Sequence, residues 1–289
     1  MAKILEAKTS CQNLEKEIKA EVSSLGKLCL ASVSIDGDYS SFIYCSSQKK
    51  LGEKLGINYH SINLKPQVSF EEFARVVKEL NNDSNITGII LNKPFPSKWK
   101  DEDVFFLLDS RKDIEGMHPV NLGKFFMGES LMSSQEAKYF VSPTVLSVLE
   151  LIKQAEIKLY GKKVTIVGFS NIIGKPLAIL LGDELATVSI THIATSKVGD
   201  LESYVKAADI LISATGVPGL IKGDWIKPGA VVIDVGTGEK QGKISGDVEF
   251  EKAKAKAAVI TPVPGGVGKL TTMFLYHNLI IAAKKQKNN

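Results

Sequence analysis

The sequence predicts an α/β protein of two domains, each a mainly parallel sheet with flanking helices, the C-terminal one Rossmann-like. Three observations carry this. The chain has 289 residues, room for two domains of ordinary size. Short apolar, β-branched runs alternate with helical stretches, the pattern of parallel strands joined by crossover helices. Finally, Lys163-Val-Thr-Ile-Val-Gly168-Phe-Ser170-Asn-Ile-Ile-Gly174-Lys-Pro176 reads as a strand, a tight glycine turn and a helix start.

Taken in order, residues 9–24 have the spacing of an amphipathic helix. Residues 27–35 read as a strand, 41–55 as a helix that ends at Gly56, and 59–64 as a second strand. Ser69, with Glu71 and Glu72 behind it, is a capping-box start for a helix over 69–80. An apolar strand over 87–91 is broken by Pro94 and Pro96, and 101–108 is a short helix. After a loop near 128–139, a helix over 144–154 opens a second alternating block. Its strands are expected at 163–167, 186–191, 209–213, 230–234 and 257–260, with helices at 171–182 and 201–207. The last helix, 271–284, is apolar on most faces and is expected to pack back on the first domain. The predicted division is therefore 1–140, joined by 271–289, and 141–270. A cleft between two such domains is the natural place for a ligand.

Composition narrows the class. Apolar residues are 44% and charged residues 24%, ordinary for a soluble globular protein. The net charge is +4 with scattered lysines; the one basic cluster, Lys284-Lys285-Gln286-Lys287, reads as a solvated helix end, so no nucleic-acid partner is expected. Cys11, Cys29 and Cys45 are odd in number and lack metal-type spacing, which fits a reducing, cytoplasmic compartment. The N-terminus shows no apolar leader, and no run of 18 apolar residues predicts a membrane span. His60, His118, His192 and His277 form no ligand pattern, and no metal is expected.

The glycine turn carries the first chemical reading. Gly168 can take turn dihedrals that a Cβ forbids, and Ser170 or Asn171 can cap the following helix. Backbone N–H groups and the helix dipole at such a start favour an anion, so this is a candidate dinucleotide pyrophosphate site. The spacing is G-x-S-x-x-x-G-x-P, not G-x-G-x-x-G, and a glycine turn after a strand also occurs in α/β proteins that bind no nucleotide.

Several segments together resemble one family. Gly168-Phe-Ser-Asn-Ile-Ile-Gly-Lys-Pro176 is similar to its G-R-S-x-x-V-G-x-P. Gly216-Val-Pro-Gly-Leu-Ile-Lys-Gly-Asp-Trp225-Ile-Lys-Pro-Gly-Ala-Val-Val-Ile-Asp-Val-Gly236 is very close to its second-half signature; Gly246-Asp-Val and Ile260-Thr-Pro-Val-Pro-Gly-Gly-Val-Gly268 complete it. The family is the bifunctional methylenetetrahydrofolate dehydrogenase/methenyltetrahydrofolate cyclohydrolases. The resemblance is strong over 160–270 and looser over 1–150. It implies hydride transfer from 5,10-methylenetetrahydrofolate to a nicotinamide cofactor, then hydrolysis of the methenyl product to 10-formyltetrahydrofolate. It also implies a folate-binding, catalytic first domain, an NAD(P)-binding second domain, tetrahydrofolate derivatives as ligands, and a homodimer built through the cofactor domain. Cofactor contacts are expected from Gly168, Phe169, Ser170, Ile173, Gly174, Ile193, Gly216, Gly236 and Thr237. Substrate contacts are expected from Tyr44, Lys93, Glu115, Pro264, Gly265, Gly266 and Val267.

The first domain departs from the family at the catalytic positions. The family helix motif S-x-x-Y-V-x-x-K-x-K, whose first Lys is catalytic, reads Ser41-Phe-Ile-Tyr44-Cys-Ser-Ser-Gln48-Lys49-Lys50. Gln48 therefore stands at the catalytic lysine position. V-Q-L-P-L-P becomes Leu91-Asn92-Lys93-Pro94-Phe95-Pro96, and the Asp of D-V-D-G becomes Glu115. P-C-T-P-x-G is reduced to Ser142-Pro-Thr144-Val-Leu-Ser147, and G-G-V-G-P-M-T ends in Lys269-Leu270-Thr271.

The catalytic set expected is thus Tyr44, Gln48, Asn92 and Glu115. An amide does not titrate near neutral pH, so Gln48 removes the base of the hydrolytic step while hydride transfer needs none. Lys49 lies about 100° further round the helix and points elsewhere. Lys93 is either a compensating amine or a solvated loop lysine. Tyr44 and Glu115 offer an aromatic face and a carboxylate to the pteridine, against the plainer readings of a buried helix tyrosine and a surface glutamate. The stretch Thr191-His192-Ile193-Ala-Thr195-Ser196-Lys197 has no acid to hold the ribose of NAD, and Thr195, Ser196 and Lys197 could receive a 2′-phosphate. NADP is favoured by resemblance, with NAD as the alternative. Two rival readings remain: a degenerate member that binds folate, nucleotide or a partner chain without turnover, and an unrelated Rossmann oxidoreductase.

Overall fold

The structure, a computed structural model, describes residues 2–37, 39–128, 139–240 and 242–287. The side chains of residues 39–42, Ser41 among them, and residues 129–138 of the loop expected near 128–139 lie outside the described residues. In chain order the elements are β1 (Lys3–Ile4), α1 (Lys8–Leu25), β2 (Cys29–Ile35), α2 (Tyr39–Leu55), β3 (Asn58–Leu64), α3 (Phe70–Asn82) and β4 (Gly88–Leu91). Next come α4 (Asp101–Phe106), α5 (Pro119–Met127), α6 (Pro143–Gln154), β5 (Lys163–Val167), α7 (Gly174–Asp183) and β6 (Thr187–Thr191). Then follow α8 (Ile193–Lys197), α9 (Leu201–Ala207), β7 (Ile210–Ser213), β8 (Val231–Asp234), β9 (Gly238–Lys240) and β10 (Lys243–Ser245). The last are α10 (Phe250–Lys256), β11 (Val259–Ile260) and α11 (Val267–Lys287). The chain divides into two compact units.

One unit holds residues 2–11 and Thr144–Thr271. Its sheet runs β1-β11-β8-β7-β5-β6, with every neighbouring pair parallel. β7 and β8 are buried at every residue, and each is apolar up to its last residue, Ser213 and Asp234, as strands covered on both faces are. Strand order reverses between β5 and β7, and in such sheets the ligand crevice opens at the carboxyl ends of the strands at that reversal.

β1 is an addition to the sequence reading. Its two residues pair with β11, and Leu5 N–H donates to the Ile260 carbonyl at 2.9 Å. The chain start therefore belongs with this unit, not with the 1–140 grouping that the pattern suggested, because Leu5 and Ala7 bury themselves here. A two-residue strand carries no periodicity of its own. The β9–β10 hairpin was equally silent in the sequence.

The second unit holds Gln12–Gly128, 139–143 and 272–287. Its parallel sheet runs β3-β2-β4, and an isolated bridge from Ile89 to Asp113 extends it by one residue. Ser69 starts α3 as expected, its Oγ accepting from Glu72 N–H at 3.1 Å. Leu30, Ile90 and Ile114 pack with Leu275, Tyr276, Leu279 and Ile280 of α11. That helix begins at Val267, four residues before the predicted start, because the glycines ahead of it obscure where its periodicity begins.

Candidate active site

In the second unit, α2 presents Tyr44 and Gln48 four residues apart, on one helix face. Gln48 is fully buried, whereas Lys49 and Lys50 are exposed. The Gln48 Oε1 accepts from the Tyr59 hydroxyl at 2.9 Å, and its Nε2 faces the Asn92 Oδ1 at 3.4 Å. Asn92, just past β4, donates through Nδ2 to the Ser32 Oγ at 2.8 Å and to the Val33 carbonyl at 3.1 Å. A chain of neutral groups, Tyr59 to Gln48 to Asn92 to β2, thus fixes which end of each amide points where. The Tyr276 hydroxyl closes the helix side, donating to the Gln48 carbonyl at 2.7 Å.

Tyr44 and Glu115 complete the cluster. Burial lifts the Tyr44 hydroxyl above its usual range, the Glu115 charge adds to this, and a hydrogen bond with Gln48 opposes it. Burial, reinforced by the Asp113 charge and opposed by Lys93, pushes the Glu115 carboxyl up to about 8. Glu115 therefore carries a proton at neutral pH and can both donate and accept.

Asp113 is buried and held as an acceptor by Met117 N–H at 3.1 Å, His118 N–H at 2.8 Å and the Asn121 Nδ2 at 2.8 Å. Lys93 pairs with Asp101 and stands 6.0 Å from the Phe95 ring centroid. Its charge reaches Glu115, but its ammonium is tied to a surface carboxylate. The structure thus brings Tyr44, Gln48, Asn92 and Glu115 together. It adds Tyr59 and Ser32, which no local pattern could have supplied because β2, β3 and α2 meet only in the fold.

The expected dinucleotide and loop residues lie in the other unit. β5 ends at Gly168, whose φ is +123°. A Cβ there would lie 2.5 Å from the Ala214 carbonyl oxygen, and one at Gly174 would lie 2.0 Å from the Gly168 carbonyl oxygen. The strand end, the loop after β7 and the helix start therefore meet in a glycine cradle at backbone contact, which a side chain at either position would push apart. The helix opens later than predicted. α7 starts at Gly174, Ile173 is its N-cap without a side-chain bond, and Ser170 instead caps the turn, its Oγ accepting from Ile173 N–H at 3.1 Å. Phe169 is half exposed, with the Lys175 ammonium 4.8 Å from its ring centroid.

Residues 193–197, to which the sequence reading assigned no element, form the short helix α8. His192 caps it, its Nδ1 accepting from Ala194 N–H at 3.3 Å, while Thr195 Oγ1 accepts from His192 N–H at 3.3 Å. The Thr195 hydroxyl oxygen thus serves the cap as an acceptor while its O–H is still a donor, and histidine lies outside the usual capping set that would have signalled a helix. Ile193 is exposed. Gly216, at φ +71°, has its Cβ direction 3.5 Å from the Thr237 carbonyl oxygen, so the loops after β7 and β8 lie against each other. Pro264, Gly265 and Gly266 form the turn into α11, where Val267 is the first residue, with a buried side chain.

A parallel sheet whose glycine cradle sits at its reversal point defines a dinucleotide-binding type of α/β protein. Comparison with known proteins makes this specific. Residues 5–115 match the tetrahydrofolate dehydrogenase/cyclohydrolase catalytic domain, and residues 142–287 match the NAD(P)-binding domain of the same family. The bifunctional protein FolD of Clostridium novyi is 41% identical over 280 residues, covering 95% of this chain and 97% of that one. The methylenetetrahydrofolate dehydrogenase-cyclohydrolase of Trypanosoma brucei, solved with NADP and an inhibitor, superimposes with a TM-score of 0.91 at 32% identity, covering 100% of this chain and 99% of that one. A 5,10-methylenetetrahydrofolate dehydrogenase from the silkworm, Bombyx mori, gives 0.88 at 32% identity over 100% of both chains. The chain belongs to the tetrahydrofolate dehydrogenase/cyclohydrolase family.

Proposed function

We propose that this protein oxidises 5,10-methylenetetrahydrofolate to 5,10-methenyltetrahydrofolate, and that it hydrolyses the product little faster than water does. The observation that carries the second half is Gln48. It stands where the resemblance puts the catalytic lysine, it is fully buried, and both ends of its amide are engaged by neutral partners. General acid–base help is worth about 10²–10⁴-fold, and a non-titrating amide supplies none of it.

The residues fit a dinucleotide. Gly168 and Gly174 let the β5 end, the loop after β7 and the α7 start meet at backbone contact, at the sheet's reversal point where a helix start favours an anion. NADP is the preferred form: no carboxylate stands between Thr191 and Gly199, Lys197 ends α8 just past β6, and Lys175 lies over the Phe169 ring beyond β5. Bound there, the nicotinamide supplies the hydride acceptor. This chain's residues do the rest. Tyr44 offers its ring to the pteridine, protonated Glu115 donates and accepts at its polar edge, and Asn92 holds Gln48 in one orientation. Lys93 and the Pro264–Val267 turn belong to the proposed substrate contacts.

A second reading, a family member that binds without turnover, draws on the three altered positions Gln48, Asn92 and Glu115. Methenyl absorbance rising on addition of methylenetetrahydrofolate with NADP or NAD supports the enzyme and ranks the cofactors; no rise with either, with folate still bound, supports the second reading. We further infer a cytoplasmic homodimer associated through the NAD(P)-binding unit, by resemblance. Among the described residues no helix is long and apolar enough to cross a membrane. Sedimentation at micromolar concentration is expected to give the mass of two chains; a monomer overturns the dimer.

A further inference from the structure

Two carboxylates inside the NAD(P)-binding unit are buried and unused by the chemistry above: Asp234 at the end of β8, and Asp247. Both spend their hydrogen bonds on loops. The Asp247 Oδ2 accepts from the Ser213 hydroxyl at 2.8 Å and from Thr215 N–H at 2.7 Å, where the chain leaves β7 for Gly216. Asp234 accepts through Oδ1 from Gly236 N–H at 3.1 Å and Asp247 N–H at 3.1 Å, and through Oδ2 from Val248 N–H at 2.9 Å. Asp234 N–H in turn donates to the Thr261 Oγ1 at 2.8 Å, at the start of the turn that carries Pro264 and Gly265.

The other Asp247 oxygen, Oδ1, is buried and makes no hydrogen bond among the described residues. It lies against Gly236, where a Cβ would come within 2.0 Å of it. A Cβ at Gly246 would likewise come within 2.1 Å of the Asp234 Oδ2. Gly236 and Gly246 are glycines because carboxylates occupy their side-chain space.

A fully buried carboxylate with one oxygen unpartnered is a costly way to hold a fold. What it obtains is a fixed backbone at Thr215–Gly216, set against Gly236–Thr237. We propose that Asp247 is a positioning residue for the cofactor: it pre-orders the loops after β7 and β8, so that binding the dinucleotide costs little loop ordering. This rests on the reading that Gly216, Gly236 and Thr237 line the cofactor site.

The test uses Asp247→Ala, Asp247→Asn and Ser213→Ala in the full chain. Asp247→Ala removes both acceptor bonds. NADP affinity by calorimetry is expected to fall tenfold or more, and the KM for NADP to rise alike, with kcat at saturating NADP within about twofold of the parent. Asp247→Asn keeps an oxygen for Ser213 and Thr215 and is expected to restore affinity to within about threefold of the parent. Hydrogen exchange at Thr215 and Gly216 is expected to accelerate only in Asp247→Ala. A folded Asp247→Ala that binds NADP like the parent, or an Asp247→Asn as weak as Asp247→Ala, overturns the proposal. If Asp247→Ala does not fold, Ser213→Ala decides: a several-fold loss of NADP affinity supports the clamp, and no loss overturns it. Exchange in the parent separates the two layers. NADP must protect the amides of 215–217 and 236–238; absent protection sinks the underlying reading as well, whereas protection with unchanged affinity in Asp247→Ala sinks the clamp alone.

Discussion

Replacing Gly168 by alanine tests the cofactor cradle at its tightest point. The new Cβ would lie 2.5 Å from the Ala214 carbonyl oxygen and 3.2 Å from its carbon, where ordinary contact begins at 3.4 Å. The neighbouring backbone must therefore give by about 0.9 Å, the difference between 3.4 and 2.5 Å. Neither side is free to do so: Gly168 N–H donates to the Thr191 carbonyl at 2.9 Å, and Ala214 N–H to the Val167 carbonyl at 2.8 Å. The φ of +123° adds backbone strain that glycine does not feel, of about 1–3 kcal/mol. Overpacking costs a further ~1–3 kcal/mol. Part of this sum lowers the melting temperature. The rest moves residues 168–174 and 214–216 out of register with a bound dinucleotide. Calorimetry with NADP is expected to show at least a tenfold loss of affinity, and thermal unfolding a drop of several degrees. A variant that binds NADP like the parent and melts at the same temperature refutes the cradle as drawn.

Further consequences follow from the cluster around α2. Gln48→Lys places an amine in a fully buried site, where burial can depress a lysine by up to about 3–5 units, bringing it within reach of neutrality as a base. Methenyl hydrolysis is expected to rise by about tenfold or more, below the full general-base effect because Asn92 and Glu115 set the pocket for an amide; an unchanged rate in a folded variant counts against the assignment of position 48. Glu115, with its carboxyl raised to about 8, binds its proton more tightly folded than unfolded. Its contribution to stability is thus fully present below the ordinary carboxylate range and is lost as pH rises through about 8. Glu115→Gln is expected to flatten that loss and the matching step in the KM for folate; a step near pH 8 that persists in the variant assigns it to another group.

The sequence made some of this legible and hid the rest for physical reasons. β5 was readable because four consecutive β-branched residues, 164–167, run into a glycine, and the start of α3 because Ser69 can accept from Glu72. The positions of Gln48, Asn92 and Glu115 followed from family motifs. Their hydrogen-bonded chain did not, because it runs through Tyr59 and Ser32 on strands that neighbour one another only in the sheet. α5 escaped because its apolar residues do not keep to one face: Phe125 is buried while Val120, Phe126 and Met127 are exposed. α8 escaped because its cap is a histidine. Asp234 and Asp247 stand within family motifs, yet nothing marked them as buried, since a buried carboxylate and a surface one look alike in a chain.

The central claim is that oxidation survives while hydrolysis does not. Its most direct measurement is the decay of methenyltetrahydrofolate absorbance, in a buffer of fixed composition, with and without the purified protein. The account predicts the same decay in both, in a preparation that forms the methenyl product from methylenetetrahydrofolate and NADP. Fast, protein-dependent decay contradicts it, and decay that then disappears in Lys93→Ala would make Lys93 the base in place of the missing lysine.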